Sequence, residues 1–188
     1  MGDTIIIEKY HTNYEKLLWV ISARRKEETS HNLHLVCIGK NRVVCTDGNR
    51  LHLFRHDREY KPGLYEVKQD KKAIILQRIK DKGYPDVTRV FPRRFLKKIR
   101  ITETKGMTRG VRGANYTYVV RQMDEEETLD LNYFEDCVTE GEWLVKFTDS
   151  GGPVYFKNGD RTALIMPAKW QRNYFSFLFE KRAIGGGK

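Results

Sequence analysis

Leu33-His34-Leu35-Val36-Cys37-Ile38-Gly39-Lys40-Asn41-Arg42-Val43-Val44-Cys45-Thr46-Asp47-Gly48-Asn49-Arg50-Leu51-His52-Leu53-Phe54 decides the fold class. Leu33, Leu35 and Cys37 alternate with His34 and Val36. Gly39-Lys40-Asn41 then reads as a turn, and Val43, Val44 and Cys45 as a returning strand. Thr46-Asp47-Gly48-Asn49-Arg50 is a second turn, after which Leu51, Leu53 and Phe54 open a third strand. Short apolar runs broken by Gly/Asn turns are the pattern of antiparallel hairpins.

The pattern extends in both directions. Ile5, Ile6 and Ile7 form a β-branched strand. Thr12 or Asn13 caps a helix expected to run to about Arg25, with Tyr14, Leu17, Leu18 and Ile21 as its apolar stripe. Leu64, Tyr65 and Val67 follow the Pro62-Gly63 turn. Ala73 to Ile79 suits a strand or a short helix equally. Tyr116 to Val120 reads as a strand, and Leu129 to Val138 as a short helix burying Leu131, Phe134, Cys137 and Val138. Trp143 to Phe147, Val154 to Phe156 and Ala163 to Met166 are strands, with Asn158-Gly159-Asp160 as a hairpin turn. A strand, a helix and three strands thus occur twice, which predicts an α+β fold with antiparallel sheets. The expected divisions are residues 1–92, residues 93–172, and an aromatic-rich tail, 173–188, docked on the body and ending in mobile glycines.

The chain has 188 residues and a formal net charge of +10, with 39% hydrophobic and 12% aromatic residues. That apolar content excludes a disordered chain, and no apolar run approaches the roughly 20 residues that cross a bilayer. Neither a secretory signal nor a myristoylation signal is visible at the N-terminus. The odd set Cys37, Cys45 and Cys137 is expected as reduced thiols in a cytoplasmic protein. The positive charge serves solubility or attraction to a polyanion such as nucleic acid. Arg93 to Gly113 holds Arg93, Arg94, Lys97, Lys98, Arg100, Lys105, Arg109 and Arg112 against the single acid Glu103, more than solubility requires. Its glycines, Gly106, Gly110 and Gly113, predict a flexible segment. Such cations neutralise phosphates without reading bases.

Catalytic and metal chemistry find little support. His31 and His34 stand three apart and His52 and His56 four apart, the latter in a strand context, and no Cys-x-x-Cys exists, so no metal site is expected. No cofactor is implied: phosphate-loop, dinucleotide-turn and nucleophile-elbow motifs are absent. One enzymatic alternative stands. Pro85-Asp86 followed by Glu103-Thr104-Lys105 fits the loose spacing of Mg²⁺-dependent nucleases, in which two carboxylates hold the ion and a lysine activates water.

Three separated segments resemble one family, the bacterial DNA polymerase III β sliding clamps. Cys45-Thr46-Asp47-Gly48-Asn49-Arg50-Leu51 is similar to that family's Ala-Thr-Asp-Gly-His-Arg-Leu turn. Tyr84-Pro85-Asp86-Val87-Thr88-Arg89-Val90-Phe91-Pro92 resembles its Phe-Pro-Asp-Tyr-x-Arg-Val-x-Pro segment, and Leu164-Ile165-Met166-Pro167-Ala168 its Val/Ile-Met-Pro-Met end. Leu131-Asn132-Tyr133-Phe134 lies near the family's Phe-Asn-x-x-Tyr-Leu helix start. Asn49 replaces the usual His, and Ala168 the frequent Met. The family's chains carry three tandem domains. Residues 1–92 look like the middle one and residues 93–172 like the end of the last, so closing a ring would take more copies than the usual pair.

The resemblance implies a DNA-clamp fold of duplicated strand-helix-three-strand units and a non-enzymatic processivity factor in DNA replication. Its expected partners are double-stranded DNA, a replicative polymerase or another protein with a clamp-binding motif, a clamp loader, and further copies of itself, with no membrane. The implied peptide pocket contains Thr46, Gly48, Arg50 and Leu51, then Pro85, Arg89 and Val90, then Leu164, Ile165, Met166 and Pro167. Arg50 and Arg89 would hold the peptide's polar groups, although Ile165, Met166 and Val90 are equally what a core needs. Lys16, Arg24, Arg25 and Lys26, with the basic residues from Arg93 to Arg112, would face DNA phosphates.

Overall fold

A computed structural model describes residues 3–28, 30–57, 60–70, 72–104 and 109–169. The elements run β1 (Thr4–Glu8), α1 (Tyr14–Ser22), β2 (Val36–Ile38), β3 (Arg42–Thr46), β4 (Arg50–Arg55), β5 (Gly63–Gln69) and β6 (Ala73–Ile79). A 3₁₀ turn (Val87–Val90) follows, then β7 (Lys97–Glu103), α2 (Arg109–Val120), β8 (Glu127–Thr128), α3 (Leu131–Cys137), β9 (Gly141–Phe147), β10 (Val154–Asn158), β11 (Arg161–Ile165) and β12 (Ala168–Lys169). Ten strands form one sheet in the order β1-β6-β5-β2-β3-β4-β11-β10-β9-β7, and β12 pairs with β8 separately. Every pairing is antiparallel. The expected α+β fold is therefore what forms, and Ala73 to Ile79 is a strand.

One pairing joins the early strands to the late ones. β4 lies against β11 with Leu51 opposite Leu164 and Leu53 opposite Thr162. All three helices of the described residues belong to the main core: Leu17, Val20 and Ile21 of α1, Val119 of α2, and Phe134 and Cys137 of α3 are buried with Phe54, Trp143, Val145, Phe156 and Ile165. Strand alternation sends Val44, Leu51, Leu53 and Leu164 to the other face, where the segment 84–91 covers them with Tyr84, Val87 and Phe91.

Local expectations fail in instructive places. Tyr116 to Val120 is not a strand but the last part of α2. Its β-branched and aromatic residues favour a strand locally, yet a helix lets Val119 bury completely and Tyr116 stack edge-on against Phe134. The Tyr116 hydroxyl also donates to Leu129 O at 2.7 Å. Of the glycines expected to make a flexible segment inside the basic stretch, Gly110 and Gly113 lie within α2 instead, and Gly106 lies outside the described residues. Helix α1 ends at Ser22, short of Arg25. Its neighbour Arg25 turns back so that its N–H donates to Leu33 O. Asp130 caps α3, accepting from the N–H groups of Asn132 and Tyr133. The tail 173–188 lies outside the described residues.

At the centre, Trp19 of α1 donates its indole N–H to Cys137 O (2.9 Å), while Trp143 donates to Thr139 O (2.7 Å). The Arg161 guanidinium lies over both rings, and His52 stacks on Trp19 with centroids 4.4 Å apart. His52 Nδ1 sits 2.8 Å from Trp19 O. A carbonyl only accepts, so Nδ1 carries the proton and Nε2, without a partner among the described residues, is bare. Cys45 and Cys137 are buried free thiols whose pKa burial raises; Cys37 is half-buried and free.

Burial holds the His52 pKa down at about 4, against 6.5 in an exposed chain. The neutral ring's contribution is therefore complete above pH 6.5 and drains away as pH falls towards 4, because only the unfolded chain takes up the proton in that window. Urea unfolding at pH 7 and pH 4.5 measures the loss, expected at up to about 3 kcal/mol. The same comparison in His52→Leu should show a smaller pH dependence.

Candidate functional site

The turn between β3 and β4 is built by its own side chains. Thr46 Oγ1 donates to Arg50 O (2.5 Å) and accepts from Gly48 N–H (3.1 Å). Asp47 Oδ1 accepts from the N–H groups of Asn49 and Arg50. Gly48 has φ +100°, a conformation that L side chains rarely adopt, so glycine is required there. Immediately beyond β11, Met166 N–H donates to Asn49 O (2.8 Å), tying the chain after β11 to this turn.

These segments and residues 85–90 enclose a cavity of about 280 Å³. Leu51 and Leu164 are directly opposite each other in the sheet and form its floor. Pro85, Val87 and Val90 form one wall. His31 and Leu33, the Gly48-Asn49 turn, Pro153 and the exposed Met166 complete it. Val90 and Met166 are among the few large apolar side chains exposed in the described part of the molecule. An exposed apolar hollow with a mobile thioether at its rim suits a partner's Leu or Phe.

Of the eleven residues expected here, Thr46, Gly48, Arg50, Leu51, Pro85, Val90, Leu164 and Met166 line the cavity, and Arg89, Ile165 and Pro167 do not. Ile165 alternates to the opposite face and is fully buried in the main core. The Arg89 side chain is 85% exposed and pairs back onto Asp86 at 3.3 Å. Arg50 lines the wall, but its nitrogens are committed elsewhere. Nε bonds Asp47 Oδ2 (3.1 Å), Nη1 bonds Asp136 Oδ2 (2.5 Å) and Nη2 bonds Ser22 O (2.7 Å). The guanidinium also lies over the Tyr133 ring. Arg50 is thus a buttress joining the turn to α1 and α3 rather than a free donor for a ligand.

His31, Leu33, Asn49, Asp86, Val87 and Pro153 also line the cavity, though sequence reasoning did not single them out for it. Val87 was findable as the apolar residue between two assigned ones; Pro153 arrives from the β9–β10 connection, with no local signal. At the rim, the Asp86 carboxylate is held below its usual pKa by hydrogen bonds from Thr88 and by the Arg89 charge.

The proposed nuclease residues do not assemble. Asp86 sits on the covered outer face of the sheet. Glu103, at the end of β7, is buried on the helix side and accepts from Asn115 Nδ2 at 3.0 Å. Lys105 lies outside the described residues, and among those described no cluster of His, Cys, Asp or Glu could hold a metal ion. Among the described residues the basic side chains likewise do not share one surface. Arg24, Arg25 and Lys26 follow α1, and Lys16 pairs with Asp160. Ile99 and Ile101 point at the helices, so Lys98 and Arg100 point away from them, and Arg100 pairs with Glu142. Lys97 is exposed at the start of β7, and Arg93 and Arg94 lie in the segment before it. The side chains of Arg109 and Arg112 are outside what the structure describes. No helix among the described residues is long and apolar enough to cross a membrane.

The solved structures that this chain resembles include bacterial DNA polymerase III β subunits. The DNA polymerase III β subunit of Borrelia burgdorferi matches with a TM-score of 0.60 at 14% identity, over 90% of this chain and 64% of that one. The chain has the fold of a sliding clamp. The Streptococcus pneumoniae β chain gives 0.60 at 12% identity, over 90% of this chain and 66% of that one. The Helicobacter pylori β clamp, solved with a DNA ligase peptide bound, gives 0.57 at 9% identity, over 89% and 66%. The chain therefore spans about two thirds or less of these clamps. No family model and no curated protein sequence matches it.

Removing the Arg50 buttress strands Ser22 O and leaves Asp47 with one fewer partner. Arg50→Ala is expected to cost roughly 2–4 kcal/mol in urea unfolding, and Arg50→Lys to recover less than half of it, since an ammonium does not span three partners. Gly48→Ala forces a side chain into the left-handed region and is expected to cost about 1–2 kcal/mol in the same measurement.

Proposed function

We propose that this chain is a clamp-like, non-enzymatic recruiting protein of DNA replication. Its cavity takes a short apolar peptide from a polymerase or another replication factor, and its positive charge holds it to duplex DNA without reading sequence. The observation that carries this reading is the convergence of three segments, centred near residues 48, 87 and 165, on one exposed apolar hollow. The clamp fold supports it, as does the ligase peptide on the similarly folded Helicobacter protein. The mechanism is tethering: a bound partner stays at high effective concentration on the DNA. Phosphate contacts carry no sequence information, so the assembly is free to move along the duplex. Arg24, Arg25 and Lys26 after α1 are the unbroken basic run assigned to phosphate. Homo-oligomers would form at the edge strands β1 and β7, beside which Ile6 and Leu96 are exposed apolar residues.

Two measurements test the reading. A Gln/Leu/Phe-rich clamp-binding peptide, titrated by fluorescence anisotropy, should bind saturably, and Met166→Lys should weaken it at least about tenfold, the loss of roughly 1.4 kcal/mol. Absence of saturation, or indifference to Met166→Lys, removes the pocket. Duplex DNA affinity should fall by about tenfold or more between 50 mM and 200 mM salt, alike for unrelated sequences. The triple variant Arg24→Glu, Arg25→Glu, Lys26→Glu should weaken it further; unchanged affinity contradicts the assigned run.

A further inference from the structure

Next to the apolar cavity, on the same face of the sheet, lies a second hollow of about 340 Å³. The segment 84–91 walls both: Val87 and Val90 turn into the first, Thr88 and Phe91 into the second. Their floors are continuous. Leu51 and Leu164 floor the first, and two residues along each strand, Leu53 and Thr162 floor the second. The chemistry changes abruptly between them, because Arg42, Arg55 and Lys157 surround the second hollow.

This grouping works against folding. Arg42 and Arg55 are directly opposite each other across β3 and β4, a like-charge cross-strand pair that destabilises a sheet. Lys157 stands opposite Thr162, three strands from Val44 across the same face, with Leu53 and Thr162 between them. None of the three cations forms an ion pair with a described carboxylate. Other described cations also lack an acid, but these three share one hollow.

We infer that this hollow is an anion subsite for acidic residues of the same peptide that fills the apolar cavity. The assignment rests on the peptide-pocket reading and refines it to the class of partner: an apolar motif flanked by Asp or Glu. Charge complementarity and the shared floor argue for this occupant. The spacing follows from strand geometry. Arg55 is four residues along β4 from Leu51, about 13 Å at ~3.3 Å per residue. An extended peptide with its apolar side chain over Leu51 therefore brings a residue three to five positions away over the cations.

The test uses three peptides of equal length carrying one apolar clamp-binding motif. One has neutral flanks, one has two Glu three to five residues on the C-terminal side, and one has them on the N-terminal side. Binding is read by anisotropy at 50 mM and 500 mM salt. One acidic peptide should bind about tenfold tighter than the neutral one at low salt, with the advantage gone at high salt. The double variant Arg55→Glu, Lys157→Glu should abolish that advantage while binding the neutral peptide as the parent does, which also shows that it is folded. If both acidic peptides bind like the neutral one, or if the advantage survives in the double variant, the anion subsite is overturned and the apolar pocket stands. If no peptide binds, both fall together.

Discussion

The pairing of β4 with β11 is the constraint on which the rest depends. It unites strands more than 100 residues apart in the chain and makes the sheet continuous across ten strands. On one face it sets His52 and Ala163 side by side beneath α1, where Trp19, Trp143 and Arg161 interlock. On the other it sets Leu51 against Leu164 and creates the floor of the cavity. Neither strand alone could present an apolar hollow, because each contributes one apolar side chain, Leu51 or Leu164, to it. Loop closure over such a separation is entropically costly, and the tie from Met166 N–H to Asn49 O, with Arg50 bridging the turn to α1 and α3, stabilises the junction.

The two faces divide the chemistry. The helix face carries the large aromatic core and a neutral buried histidine. The opposite face carries a thin second core of five buried residues, Val44, Leu51, Leu53, Val87 and Leu164. A small core covered by a single segment leaves space beneath it, and that is where both hollows occur. The site is thus a consequence of incomplete coverage: the five residues are buried, yet segment 84–91 leaves a hollow on either side of itself, one over Leu51 and Leu164 and one over Leu53 and Thr162.

Much of this was legible in residue order. The Thr46–Arg50 turn declares itself through Asp47 and Gly48, and strand alternation around it sets which side chains share a face. The same alternation shows why Ile165 falls out of the site: it sits between Leu164 and Met166 and turns the other way. Helix α2 was not legible, because Tyr116, Thr117, Val119 and Val120 are locally strand-like and only packing against Phe134 and the core overrides that preference. Arg50 was misread for a related reason. Its residue type announces a donor, but its partners Ser22, Asp47 and Asp136 come from three elements, and only tertiary structure shows that its nitrogens are already used.

The most direct test of the central claim is methyl NMR of the intact chain, following Leu51, Val87, Val90, Leu164 and Met166 while a clamp-binding peptide is added. The account requires these methyls, drawn from three distant segments, to shift together with one common saturation curve, while Val20, Val145 and Ile165 of the main core stay nearly fixed. Shifts confined to one segment, or largest in the main core, would contradict a single pocket built across the β4–β11 junction.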